Sequence, residues 1–225
     1  MPGLGTIINV AAIAAGGMGG LLFGRKMEKR YQDTLMSANA VCVLFLGIAG
    51  CMEQMLKITQ NGLTSGGTMM MIGSFAIGAL LGEWLKRKTG NEKDAGFVDG
   101  FVTASLTVCV GAMAVVGSIR DGIYGDYSIL AAKAVLDLII VLVMTASMGK
   151  GCIFSAVPVG IFQGILTLLA ALVEPLMTEQ ALSNLSLTGS MLIFCVGVNL
   201  LWGKKIRVAN LLPAIFVAVA WAFLP

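Results

Sequence analysis

The chain has 225 residues, of which 57% are hydrophobic and only 12% charged, and its formal net charge is +3. Its mean hydropathy of +0.91 lies far above that of soluble proteins. These values exclude an ordinary soluble domain, and they give no support to nucleic-acid binding because the small positive balance comes from short loops rather than from a basic domain.

A hydrocarbon core about 30 Å thick needs roughly 20 mostly apolar residues in helical conformation. Eight runs near that length follow one another: Leu4 to Gly24, Thr34 to Leu56, Thr64 to Leu85, Phe97 to Ile119, Ser128 to Met148, Gly151 to Val173, Leu185 to Gly203 and Val208 to Leu224. Inside a bilayer each backbone amide must be satisfied within the protein, so the choices are helices or a closed barrel, and continuous apolar runs lack the alternation of barrel strands. The expected fold is all-α, a polytopic helical membrane protein of eight spans in one integral membrane domain.

The first span lacks a cationic segment before it and ends in Arg25-Lys26 rather than at a small-residue cleavage site, which reads as a retained span and not a signal peptide. Cations then fall in alternate loops: Arg25, Lys26, Lys29 and Arg30; Lys86, Arg87, Lys88 and Lys93; Lys150; and Lys204, Lys205 and Arg207. The opposite loops hold only Lys57 and Arg120, with Glu53, Asp121, Asp126, Glu174 and Glu179 beside them. The positive-inside rule therefore predicts that both termini lie outside the cytoplasm.

The first four spans carry an internal repeat. Gly5, Thr6, Ala14, Gly16, Gly20, Arg25 and Lys26 recur 62 positions later as Gly67, Thr68, Ala76, Gly78, Gly82, Arg87 and Lys88, and Val41-Cys42-Val43 with Gly50 recurs 67 positions later as Val108-Cys109-Val110 with Gly117. Residues 1–56 and 64–119 thus read as parallel two-helix repeats, and 128–224 as a weaker second pair of hairpins. Gly16 and Gly20 share a helix face, as do Gly78 and Gly82, and Gly160 and Gly164. Such faces let helices approach closely in lipid, and the same seams suit a homo-oligomer.

The sharpest chemistry lies in the fifth span, where Lys133 and Asp137 stand one turn apart near the bilayer midplane. Charges at that depth cost about 2.5 to 3.5 kcal/mol each on an insertion scale, and the i,i+4 spacing lets them neutralise one another. Three readings stay open: a structural ion pair facing the bundle interior; an ion- or substrate-binding group or proton-linked carboxylate; or Lys133 snorkelling outward and leaving Asp137 as the lone interior charge. In the sixth span Ser155, Gln163 and Thr167 form a polar stripe, with Gln163 near the depth of Asp137. Pro158 in that span and Pro213 in the eighth lack amide donors and are candidate hinges, freeing the carbonyls of Phe154 and Ala209. Asp99, Thr103 and Thr107 make a further polar row in the fourth span. Asn9, Asn39 and Asn199 are expected to hydrogen-bond between helices. Cys42, Cys51, Cys109, Cys152 and Cys195 show no Cys-x-x-Cys spacing and read as small buried hydrophobes, so no metal site is expected.

The order of these features resembles a bacterial family of multispanning proteins of unknown function, the YdfK/YqgA-like membrane family, over nearly the whole chain. The resemblance rests on Gly5-Thr6-Ile7-Ile8-Asn9, on Gly111 through Ile119 with Asp121-Gly122 and Gly125-Asp126-Tyr127, on Lys133 through Asp137, on Phe154-Ser155-Ala156-Val157-Pro158, and on Lys205-Ile206-Arg207-Val208-Ala209-Asn210-Leu211-Leu212-Pro213. It implies a bacterial cytoplasmic membrane location. Members are often labelled as transporters, but the resemblance brings no substrate and no set of functional residues.

The chain has no His, which removes His-dependent acid–base catalysis and His-ligated metal or haem from consideration. It also lacks a phosphate-binding Gly-x-x-x-x-Gly-Lys-Ser/Thr loop. No catalytic residues, cofactor or enzyme activity are expected. The leading expectation is a transporter or channel for an unidentified small solute or ion, with a polar pathway near the fourth to sixth spans that includes Lys133, Asp137, Gln163, Ser155, Asp99 and Thr103. The alternative is a non-catalytic membrane scaffold or regulatory subunit that assembles through its Gly-rich faces.

Overall fold

The apolar runs fold as helices whose exposed surfaces stay apolar, with Leu80 74% and Leu168 85% exposed, as suits side chains that face lipid acyl chains. The computed structural model describes residues 2–59, 62–89, 95–109, 112–203 and 205–224. In chain order these form α1 (Leu4–Lys26), α2 (Lys29–Met55), a two-stranded hairpin of β1 (Leu56–Thr59) and β2 (Gly62–Ser65), α3 (Thr68–Thr89), α4 (Ala95–Cys109), α5 (Ala112–Tyr124) and α6 (Ser128–Met148). A 3-10 turn (Lys150–Ser155) leads into α7 (Ala156–Leu168) and α8 (Ala170–Val173). A second 3-10 turn (Glu174–Leu176), α9 (Glu179–Trp202), α10 (Val208–Leu211) and α11 (Pro213–Trp221) complete the fold.

The helical membrane class is as the sequence indicates, and the span count differs. Among the described residues six helices are long and apolar enough to cross a membrane, and a seventh span results if α4 and α5, bent by 60° at their junction, are taken together. The expected eighth span is the shorter apolar segment Val208–Trp221. It steps at Leu212 because Pro213 opens α11 without an amide proton, and the Ala209 carbonyl accepts instead from the Leu212 N–H at 3.4 Å. Pro158 falls in the first turn of α7, where an N–H has no intrahelical partner to lose, so it starts that helix rather than bending it. Thr64 and Ser65, expected at the head of the third span, belong to the antiparallel hairpin, with Leu56 opposite Ser65 and Thr59 opposite Gly62.

Residue contacts divide the chain into two compact units, Met1–Asn39 with Lys93–Leu176 and Ala40–Glu92 with Met177–Pro225. In the first unit α1 lies parallel to α6. A Cβ on Gly16 or Gly20 would collide with the carbonyl oxygens of Leu138 and Leu142, and one on Gly24 would stand 2.9 Å from that of Ala146. Lipid gives helices no hydrophobic reason to associate, so such close backbone approach supplies the packing energy. Contact between α1 and α7 passes through Gly160, whose Cβ position lies 3.1 Å from the Val10 side chain, and through Gln163 and Thr167. Gly164 has nothing within 4 Å of its Cβ position and is not a packing glycine.

In the second unit α3 runs antiparallel to α10 and α11. A Cβ on Gly78 would meet the Ala214 backbone at 2.5 Å, and one on Gly82 would collide with the Asn210 carbonyl. Asn184 of α9 donates to the Ala218 carbonyl at 3.0 Å. Asn199 does not bridge helices as expected: its amide donates to the Ile206 carbonyl at 2.6 Å and accepts from the Lys205 and Ile206 N–H groups, closing the turn after α9. Glu83 reaches the surface, where Arg207 and Asn210 donate to it. An apolar cavity of about 380 Å³ is lined largely by sulfur-bearing side chains, Cys51, Met52, Met55, Met71 and Met191.

The turn between α5 and α6 is held by Asp126, which accepts from the Ser128 N–H at 3.1 Å and the Ser128 hydroxyl at 2.6 Å. These bonds, with a weaker contribution from Arg120, hold its carboxyl below the usual range. A carboxyl depressed on folding contributes stability above its unfolded pKa and loses it as pH falls through the folded value. Thermal unfolding of wild type and Asp126→Asn in detergent should therefore converge below the ordinary carboxylate range and separate above it. A gap that stays constant across that range would show that Asp126 gains nothing by ionising.

Candidate polar site in the first unit

The buried face of α6 presents Leu130, Lys133, Ala134, Asp137, Val141, Met144, Thr145 and Ala146, a stripe at helical spacing whose charged members are one opposite-charge pair. Lys133 is 7% and Asp137 2% exposed. The Lys133 ammonium donates to both Asp137 carboxylate oxygens at 2.7 Å, and also to the Val108 carbonyl at 2.7 Å. An ammonium has three N–H donors and no acceptor, so each proton has its oxygen.

The third oxygen comes from the end of α4. Val108 lies in its last described turn, and α5 is inclined at 60° to α4 beyond it. That end also carries the negative pole of the helix dipole, which favours a cation. Lys133, in the second turn of α6, thus meets a full negative charge, a carbonyl and the negative pole of a helix. An isolated ion there is strongly disfavoured, and the pairing together with the carbonyl offsets that cost.

α1 and α7 close the other side. The Gly-mediated approach of α1 to α6 brings Asn9, fully buried, near enough to the Asp137 carboxylate for its amide to support that group as a donor. Asn9 Nδ2 also donates to Gln163 Oε1 at 3.2 Å. Asn9 Oδ1 and Gln163 Nε2 are buried without a hydrogen-bond partner. One turn toward the start of α1, the Thr6 and Thr167 hydroxyls lie 3.4 Å apart. Next to them the Gly5 N–H donates to Asp121 Oδ2 at 3.0 Å, while the other oxygen of this fully buried carboxylate has no partner. On the opposite side of the pair, Ile13, Val108, Val141 and Val159 make a fully buried apolar layer.

The site therefore gathers Lys133, Asp137 and Gln163 from the sequence expectation and leaves others apart. Ser155 is buried, but its hydroxyl donates to the Cys152 carbonyl at 2.7 Å within the 3-10 turn, and the apolar Val159 separates it from Gln163 along the chain. The Thr103 carbonyl accepts from Thr107 at 2.8 Å within α4. The Asp99 side chain lies outside the described residues. Three components escaped sequence reading: the Val108 carbonyl, the buried Asp121, and Asn9 as a neighbour of Asp137. Asp121 follows Arg120 and reads as a loop charge, yet it continues a face with Ala114 and Ser118, both fully buried, and that spacing was the available signal. Among the described residues no group of His, Cys, Asp and Glu is arranged to hold a metal ion.

A family described only as a protein of unknown function, DUF554, matches residues 4–223 of this chain. The chain belongs to that family. Two relatives of the DUF554 chain are similar over almost their whole length. The uncharacterized membrane protein YdfK of Bacillus subtilis (strain 168) is 30% identical over 219 residues, covering 95% of this chain and 93% of the relative. The uncharacterized protein YqgA of Escherichia coli (strain K12) is 26% identical over 233 residues, covering 96% and 94%. No solved structure matches the chain.

Proposed function

We propose that this DUF554 chain moves a small solute or ion across the bacterial cytoplasmic membrane, with Lys133 and Asp137 at the binding position. The observation that carries this reading is the Lys133 ammonium, held by the Asp137 carboxylate and by the Val108 carbonyl beside the bend between α4 and α5. Irregular backbone at membrane depth is tolerated where it is enclosed by protein or lines a path, and carriers use such ends to bind ions.

The internal repeat supports the same reading. α2, the counterpart of α4 and α5 in the repeat, runs 27 residues through Val41-Cys42-Val43 without a break, whereas α4 and α5 are bent by 60°. Asn9 has Met71 as its counterpart 62 positions on. The bent helix pair thus belongs to the second copy alone and Asn9 to the first alone, an asymmetry that a purely structural duplication does not require. Charge alternation in the loops puts the amino terminus outside the cytoplasm in this reading.

The scaffold alternative relied on Gly-rich faces as docking surfaces. Gly16, Gly20, Gly78 and Gly82 are instead engaged with helices of their own units, which weighs against it.

The test is charge movement in proteoliposomes on a solid-supported membrane, with concentration jumps of ions and small metabolites. A ligand-specific current is expected from wild type and is expected to vanish in the neutral double variant Lys133→Gln/Asp137→Asn. A current of equal size in a folded double variant would remove the pair from the pathway, and silence of wild type across the panel would turn the assignment toward the scaffold.

A further inference from the structure

Five of the nine residues that wall the cavity of about 380 Å³ in the second unit carry sulfur. With 14 Met and 5 Cys in 225 residues, chance places fewer than one there. The set is assembled from three elements. Cys51, Met52 and Met55 lie at the end of α2. The β1–β2 hairpin then folds the chain back: the Gly66 N–H donates to the Met55 carbonyl at 2.9 Å, and the carbonyl of Gly67, a residue at φ +80°, accepts from the Met71 N–H at 2.9 Å as α3 begins. Met71 is thereby returned to the end of the helix that holds Met55. α9 supplies Met191, because Gly47 and Gly50 let α2 lie directly on it. A Cβ on Gly47 would stand 2.6 Å from the Phe194 amide nitrogen, and one on Gly50 would collide with the Ser190 hydroxyl.

Flexible thioether chains ordinarily fill gaps in a core, and here four of them line one instead. Two neighbouring sulfurs are engaged elsewhere: the Cys51 thiol is directed at the Leu187 carbonyl, 3.9 Å away, and Met70 accepts from the Thr188 hydroxyl at 3.9 Å. The wall holds no charged side chain, and Ser65 is its one residue with a side-chain oxygen. Hard cations such as Mg²⁺ or Ca²⁺ need a shell of oxygens and find none here. The ligands on offer are thioethers, soft and uncharged, which select soft metal ions.

We propose that Met52, Met55, Met71 and Met191 form a binding site for a soft monovalent metal cation of the Cu(I) class. Thioether sulfur carries no proton, so binding breaks no covalent bond and displaces nothing from the ligands, and the metal keeps its oxidation state. A wall without carboxylates accommodates one positive charge more readily than two, which favours Cu(I) and Ag(I) over soft divalent ions. Met52, 52% exposed, stands at the rim. The site lies in the second unit and stands or falls separately from the transport reading, which concerns Lys133 and Asp137.

The test titrates the purified full chain in chloride-free detergent buffer with silver nitrate, and under nitrogen with Cu(I) kept reduced by ascorbate. The comparison is Met71→Leu/Met191→Leu, which keeps volume and apolarity and so the fold. Free thiols also bind both ions, so the decisive quantity is what the double variant loses. Wild type should retain one more metal ion per chain after gel filtration, with an affinity at that site at least about tenfold above the variant's. The difference should be the same at pH 5.5 and pH 7.5, because no ligand proton is displaced. Methionine oxidation by hydrogen peroxide, mapped by mass spectrometry, gives a second readout. Ag(I) should protect Met52, Met55, Met71 and Met191 and leave Met69, 80% exposed, unprotected. Equal uptake by a folded double variant, a difference that grows with pH and so marks a thiol, or an oxidation pattern that Ag(I) leaves unchanged would each overturn the proposal.

Discussion

Replacing Asp137 with Ala should destabilise the folded protein by about 3–5 kcal/mol, the range for removing one partner of a buried ion pair and stranding the other. Lys133 would keep only the Val108 carbonyl, with its remaining two N–H donors facing a site of which nine-tenths or more is closed to solvent. The pair itself is worth much less than this loss, because most of its attraction goes to offset desolvation. A companion variant separates the two quantities: Lys133→Met/Asp137→Leu removes both charges and keeps volume, and should lie within about 1.5 kcal/mol of wild type or exceed it. Reversible unfolding in mixed detergent, run as a double-mutant cycle, would measure the coupling. A cost below about 1 kcal/mol for Asp137→Ala would mean that water already solvates the site, and it would remove the basis for treating Lys133 as a buried, bound ammonium.

The second large effect is expected at the glycine seams. Gly20→Ala places a methyl group against the Leu142 carbonyl, and Gly82→Ala places one against that of Asn210. A carbonyl cannot rotate out of the way as a side chain can, so the helices must separate and lose contact along several turns. Overpacking of this kind costs about 1–3 kcal/mol, and the seam geometry puts these sites at the upper end. Gly164→Ala is the matched control in α7. Its Cβ position is open, so the only change is the gain of helix propensity of Ala over Gly, worth up to about 1 kcal/mol. Unfolding midpoints should therefore move down for Gly20→Ala and Gly82→Ala and stay level or rise for Gly164→Ala. Equal midpoints for all three would show that the seams are looser than their backbone distances imply.

Under the proposed transport reading the α1 seam also bears on ligand binding. Asn9 approaches Asp137 only because Gly16 and Gly20 let α1 lie against the α6 backbone. A methyl group there moves a residue of the polar site as well as the packing, so Gly20→Ala should weaken ligand binding even where the protein still folds. Gly82 belongs to the other unit and offers the contrast.

The sequence by itself determined the class of fold, because runs of apolar residues of bilayer length permit only helices whose amides are satisfied internally. It also marked α6 to the residue, Ser128 to Met148, since Gly125-Asp126 before the run and Gly149-Lys150 after it set its ends. The i,i+4 spacing of Lys133 and Asp137 announced their pairing, because helix geometry makes such residues neighbours wherever the helix goes. Glycine periodicity pointed to close packing, though not to which helix each face would meet.

Only the tertiary structure decided what depends on residues distant in the chain. Hydropathy averages over a window, so it reads Phe97 to Ile119 as one span without showing the 60° bend between α4 and α5 beside the Val108 carbonyl. It also counted Val208 to Leu224 as a full crossing where Pro213 divides a shorter segment. Asp121 looked like a water-facing loop charge until the start of α1 was found against it, 116 residues away in sequence. Ser155 looked like part of the polar stripe until the 3-10 turn gave its hydroxyl a local acceptor. Composition and period describe one helix at a time, whereas the surroundings of Lys133 are built by α1, α4, α6 and α7 together, and no local pattern encodes which carbonyl, amide or carboxylate another helix will bring to it.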